Sequence, residues 1–78
     1  MSTMTLIDEN GTIYIGTFIN YLHRKVLHGK GEIIMEDGIC YSGYFVYGKK
    51  HGIFTVYDSK KHQSTRVKYE FDVLLSSE

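Results

Sequence analysis

The pattern Tyr-x-Gly-x-Phe occurs twice in this chain. It appears as Tyr14, Gly16 and Phe18 and again as Tyr41, Gly43 and Phe45, each time behind a turn glycine, Gly11 or Gly38. Residues at i, i+2 and i+4 of an extended strand share one face. The glycine leaves a notch between two rings, where a side chain from a neighbouring strand can lie across bare backbone. A His-Gly pair follows each copy, as His28-Gly29 and His51-Gly52, so the repeat extends beyond the strand. The first copy is four residues longer between Phe18 and His28 than the second between Phe45 and His51, which places an insertion within Tyr21–Leu27. Units this small cannot bury an apolar face alone and must stack on one another.

The flanking segments are also strand-like. Thr12–Ile19 and Ile39–Val46 are rich in β-branched and aromatic residues. Arg66–Val73 alternates, with Val67, Tyr69, Phe71 and Val73 on one face and charges on the other, the period of a half-buried strand. Asp8-Glu9-Asn10-Gly11 and Glu36-Asp37-Gly38 supply hairpin turns, and a longer polar turn runs from Asp58 to about Thr65. Asn-Gly and Asp-Gly favour tight hairpins because glycine adopts positive φ without steric cost. The expectation is three antiparallel hairpins over about 3–18, 30–46 and 53–73. No segment has helical periodicity with caps, and Tyr21–Leu27 is too short to stand as an isolated helix.

The second unit, Asp37 to Gly52, resembles a MORN (membrane occupation and recognition nexus) repeat. The resemblance rests on Tyr41-Ser42-Gly43-Tyr44-Phe45, the Gly48-Lys49 turn and His51-Gly52. The first unit matches at Asn10-Gly11, Tyr14, Gly16, Phe18, His28, Gly29 and Gly31. Phe54 stands where the pattern has a second glycine after His51-Gly52, and the third unit is degenerate. Tyr69 is placed on the position of Tyr41, which puts Phe71 in the glycine slot as an end cap filling the notch. The resemblance covers about 8–58. It implies an all-β, elongated single domain across 1–78, a short stack of three antiparallel hairpins. It further implies an adaptor, scaffold or targeting role, in cytoskeletal or membrane-associated assemblies.

Composition narrows the function. The chain has 78 residues, enough for one small domain. Nine Lys+Arg balance nine Asp+Glu, so global charge does not favour a nucleic-acid partner. The single cysteine suits a reducing compartment. The N-terminus lacks the basic start and long apolar stretch of a signal peptide, so a cytoplasmic address is expected. There is no nucleophile elbow, phosphate loop or zinc cluster, and no catalytic, cofactor or metal residue is assigned. Cys40 reads as a packed or semi-exposed structural thiol, because nothing in the sequence supplies a base or an electropositive site for it. The turn carboxylates Asp8, Glu9, Glu36, Asp37 and Asp58 serve backbone geometry. His28 and His51 are expected to bond backbone where a strand begins.

Two interaction readings remain. Ile15, Tyr44, Val46 and Tyr47 form an apolar strip with tyrosines, a composition common in binding hot spots; its partner would be another protein or a second copy, giving a homodimer. Alternatively, the links between hairpins gather Arg24, Lys25, Lys49 and Lys50 at one end of the stack. Each basic residue near an anionic phospholipid (phosphoinositide) surface contributes about 1 kcal/mol, so that end would serve as a membrane-targeting patch.

Overall fold

The computed structural model describes residues 3–77. Eight strands follow one another: β1 (Met4–Ile7), β2 (Ile13–Tyr21), β3 (Arg24–Ile34), β4 (Ile39–Val46), β5 (Lys49–Lys50), β6 (Gly52–Asp58), β7 (Gln63–Glu70) and β8 (Val73–Ser77). They form a single antiparallel sheet in the order β1-β2-β3-β4-β6-β7-β8, with β5 beside β4. Among the described residues there is no helix.

The expected hairpins are present, with shifted ends. At the first two turns the glycine alone carries positive φ, +83° at Gly11 and +93° at Gly38. Asp8 accepts the N–H groups of Asn10 (2.9 Å) and Thr12 (3.0 Å) through one carboxylate oxygen, and the Tyr14 hydroxyl (3.0 Å) through the other. Asp37 accepts from Ile39 N–H, and Asp58 from the N–H groups of Lys60 and Lys61. These carboxylates therefore build turns, because their short side chains reach backbone donors two to four residues on.

The links between hairpins are themselves two-residue turns. Leu22 and His23 (φ +51° and +67°), Tyr47 and Gly48 (+49° and +85°), and Phe71 and Asp72 (+46° and +72°) all occupy left-handed backbone. Positive φ at both central residues matches the twist of the strands a tight hairpin joins. Each link thus continues the sheet where a connector between separate hairpins was expected. The insertion within Tyr21–Leu27 lengthens the strands on either side of the Leu22-His23 turn. It adds the cross-strand pairs Asn20↔Lys25 and Tyr21↔Arg24 beyond Phe18↔Leu27 and Ile19↔Val26, whereas the second unit turns after Phe45↔Lys50 and Val46↔Lys49.

The same register corrects the reading of the third unit. Glu70↔Val73 and Tyr69↔Leu74 close the last turn, as Val46↔Lys49 and Phe45↔Lys50 close the second. Tyr69 therefore corresponds to Phe45 and not to Tyr41, and Val67 holds the slot of the motif glycine. Phe71 lies in the turn, 50% exposed, where Tyr47 lies one unit earlier. The end-cap role expected of Phe71 falls to Val67, which is buried. Clean alternation could not reveal this, because a two-residue turn preserves the alternation while reversing the chain.

Leu27, Phe45, Phe54 and Val67 form the core, with Tyr14, Phe18, Ile33, Tyr41, Val56 and Tyr69 packed around them. Phe54 is 0% and Phe45 1% exposed, although the protein has one layer. A single sheet can seal a ring so completely only by curling around it. Phe45 meets Phe54 edge-on (5.2 Å between centroids), and Phe54 meets Tyr69 likewise (5.6 Å), the arrangement aromatic quadrupoles favour. Overall extents are 35 × 25 × 22 Å.

Candidate interaction surfaces

The histidine of each motif is part of a joint between units. Tyr47 N–H donates to His28 Nδ1 (3.0 Å), the two rings lie 4.7 Å apart, and Gly48 N–H donates to the Leu27 carbonyl (2.7 Å). One unit later Phe71 N–H donates to His51 Nδ1 (3.2 Å), the rings lie 4.4 Å apart, and Asp72 N–H donates to the Lys50 carbonyl (2.8 Å). Nδ1 accepts in both joints, which leaves the proton of the neutral ring on Nε2. Gly29 (φ +100°) and Gly52 (φ +99°) follow these histidines, and a Cβ added at either would meet nothing within 4 Å. Backbone conformation rather than crowding is therefore what calls for glycine there.

The glycine notches are filled in two ways. A Cβ on Gly16 would lie 2.7 Å from the Lys30 carbonyl oxygen, 2.8 Å from Gly31 Cα and 2.9 Å from Leu27 Cδ2. Two glycines face each other there (Gly16↔Gly31), and Leu27 lies over them. A Cβ on Gly43 would lie 2.7 Å from the Phe54 ring. Phe54 thus fills in the second unit the space that Leu27 fills in the first, and Lys50, at the position of Leu27, turns elsewhere.

Lys50 Nζ lies 5.1 Å from the Tyr41 ring centroid and 5.0 Å from that of Tyr69, and 3.7 Å from Asp72 Oδ1. Its backbone N–H also donates to Asp72 Oδ1 (2.7 Å). Of the four basic residues considered for lipid, Lys50 is thus held inside the protein's own surface, while Arg24, Lys25 and Lys49 are exposed at the link end. Burial, reinforced by Tyr41 and Asp72, raises the pKa of Tyr69 above the ordinary tyrosine value. Cys40 is half-buried; desolvation, with Glu32 nearby, raises its thiol pKa, the opposite of what a nucleophile needs.

The outer face is less continuous than the sequence suggests. Ile15 is half-buried and pairs with Thr5 and Glu32. Val46 is half-buried opposite Lys49. Tyr47 belongs to a turn, its ring between His28 and Tyr21, the latter 4.8 Å away. Of the four residues expected to line one strip, Tyr44, 61% exposed, is the one that stands out from a strand face, and Tyr47, 50% exposed, stands out from the turn. Ile53, 54% exposed on the adjacent strand β6, joins Tyr44. Its position opposite Phe54 in the alternation would have revealed it. Lys30 pairs with Tyr44 and Lys68 with Ile53, so cations flank this apolar pair. On the inner face, a groove of about 480 Å³ is lined by Leu6, Tyr14, Phe18, Leu27 and Ile33, with Arg24 and Lys25 at its rim. Sequence reasoning missed it because it arises beside Phe18, where among the described residues β1 stops short of the link end of β2.

The turn end predicts a pH effect. Partial desolvation pushes the Asp8 carboxyl upward, but hydrogen bonds from Thr12, Tyr14 and Asn10 outweigh it and hold its pKa below the ordinary aspartate value. A depressed folded-state pKa stabilises the fold above the unfolded-state value, and that contribution disappears as pH falls through the folded-state value. Asp8→Asn should therefore lower the urea midpoint at pH 7 and narrow its deficit against the wild type toward pH 2. A deficit that does not change with pH would remove this role for the carboxylate.

No protein-family model matches the chain, and no curated protein is similar to it.

Proposed function

We propose that this chain is a non-catalytic protein-interaction module, a short MORN-type stack whose outer sheet face captures a segment of another protein. The exposure of Tyr44 beside Ile53, on adjacent strands of a sheet whose described residues pack their core on its inner face, is the observation that carries this reading. A tyrosine held on a rigid strand offers a large contact area with few rotamers to immobilise. The flanking Lys30 and Lys68 favour an acidic, partly apolar segment over a basic one. The repeated His joints and shared strand register support the MORN-type assignment.

Affinity capture from a lysate tests the reading, with Tyr44→Glu/Ile53→Glu run beside the wild type. Truncating a hot spot costs about 2 kcal/mol or more, so retained partner should fall more than tenfold. Both side chains project into solvent, so the melting temperature should hold within a few degrees. Equal retention by the two baits would show that the outer face is not the binding site.

A further inference from the structure

The two edges of the sheet carry complementary halves of one strand. Within the chain, β3 serves β4 along its whole length: Gly29↔Phe45 and Lys30↔Tyr44 toward the link end, then Gly31↔Gly43 to Ile34↔Cys40 toward the turn end. On β2, the counterpart of β4, β1 supplies only the second half, Met4↔Gly16 to Ile7↔Ile13. Among the described residues none pairs with Thr17–Tyr21 on that side. At the opposite edge, β8 leaves the last turn as β3 leaves the first, with Glu70↔Val73 and Tyr69↔Leu74 standing for Ile19↔Val26 and Phe18↔Leu27; beyond them the register shifts by one residue, to Val67↔Ser77, where β3 shifts by two, to Gly16↔Gly31. Counted from the turn, Val73 and Leu74 are therefore the counterparts of Val26 and Leu27, and β8 has the place of the segment missing from β2. Val73, Leu74 and Leu75 are 61%, 56% and 51% exposed, an apolar edge of the kind proteins usually cover or charge. Leu74 takes the place of Leu27, which is 3% exposed in the core cluster with Phe45. Phe18 takes the place of Phe45 but is only half-buried, at the wall of the open groove.

We infer that the chain assembles head to tail with copies of itself, β8 of one copy pairing antiparallel with Thr17–Tyr21 of the next. Counting from Leu74 as the internal joint counts from Leu27 to Gly29↔Phe45 and Lys30↔Tyr44 places Ser76 opposite Phe18 and Ser77 opposite Thr17, with Leu74 covering Phe18. Such a joint is heterologous, so each added copy presents a fresh edge and the assembly is not limited to a dimer. The joint uses the ends of the stack and not its outer face, so it stands apart from the capture of a partner at Tyr44.

Sedimentation of the full chain over a range of concentrations tests this. The weight-average mass should climb from 9.0 kDa past that of a dimer. Leu74→Glu should stay at single-chain mass throughout, with unchanged circular dichroism, and Tyr44→Glu should follow the wild-type curve. In a Cys40→Ser background, Thr17→Cys and Ser77→Cys should cross-link to each other when mixed under mild oxidation, and neither should do so alone. A wild type that remains at single-chain mass at millimolar concentration overturns the proposal. So does a Leu74→Glu variant that associates like the wild type, or dominant cross-linking of Ser77→Cys to itself, which would mean edge-to-edge pairing of β8.

Discussion

Restoring the repeat glycine at position 54 should unfold the protein. Phe54→Gly makes the second unit match the first, where Gly31 stands, and a consensus argument would expect stabilisation. The packing predicts the reverse. Phe54 is fully buried, edge-on to both Phe45 and Tyr69, with its ring over Gly43. Truncating a core phenylalanine costs about 3–5 kcal/mol, and glycine within a strand adds about 0.5–1 kcal/mol. A core this small supplies roughly 3–5 kcal/mol of net stability, so the folded state should lose its majority in water at 25 °C. Loss of amide dispersion in an NMR spectrum would show it directly. The first unit indicates the repair. There the notch is filled by Leu27 over paired glycines, and Lys50 occupies the position of Leu27 in the second unit. Lys50→Leu combined with Phe54→Gly should recover stability beyond the sum of the single changes, by about 0.5–3 kcal/mol of coupling. Strictly additive effects in a urea double-mutant cycle would show that the two fillings are not exchangeable.

That exchange also shows what can be read from the chain before its structure. Tyr14, Gly16 and Phe18, with Tyr41, Gly43 and Phe45, establish strands with a shared inner face and a notch, because a period of two leaves one way to group them. Whether a notch is filled by a leucine from the returning strand or a ring one pair further on depends on tertiary packing, and Phe54 reads as a defect in the motif for that reason. The links are opaque for a different cause. Leu22-His23 and Phe71-Asp72 are poor turn sequences by composition, lacking glycine where φ is positive. At Phe71-Asp72 the strained backbone is held by contacts distant in sequence: the imidazole of His51 and the carbonyl of Lys50. No local rule sees such partners. The outer strip dissolves because facing outward does not settle exposure: Ile15 and Tyr44 are both outward residues, yet only Tyr44 is open to solvent.

Gly16→Ala should be the most damaging single methyl that can be added to this protein. The new Cβ would press on backbone, the Lys30 carbonyl oxygen and Gly31 Cα, as well as on Leu27. A side chain can rotate away, but β3 cannot retreat without breaking Gly16↔Gly31 and the pairs beside it. Overpacking costs about 1–3 kcal/mol, and a backbone held at φ +149° adds strain on the order of 1–3 kcal/mol for a side-chain-bearing residue. Gly29→Ala separates these two contributions. Its φ is +100°, but nothing lies within 4 Å of the added methyl, so only the strain remains. The urea midpoint should therefore fall in the order wild type, Gly29→Ala, Gly16→Ala, with the last largely unfolded at 25 °C. Equal losses at the two positions would mean that backbone conformation alone explains both glycines, and that the close approach of β2 to β3 at Gly16 yields when pressed.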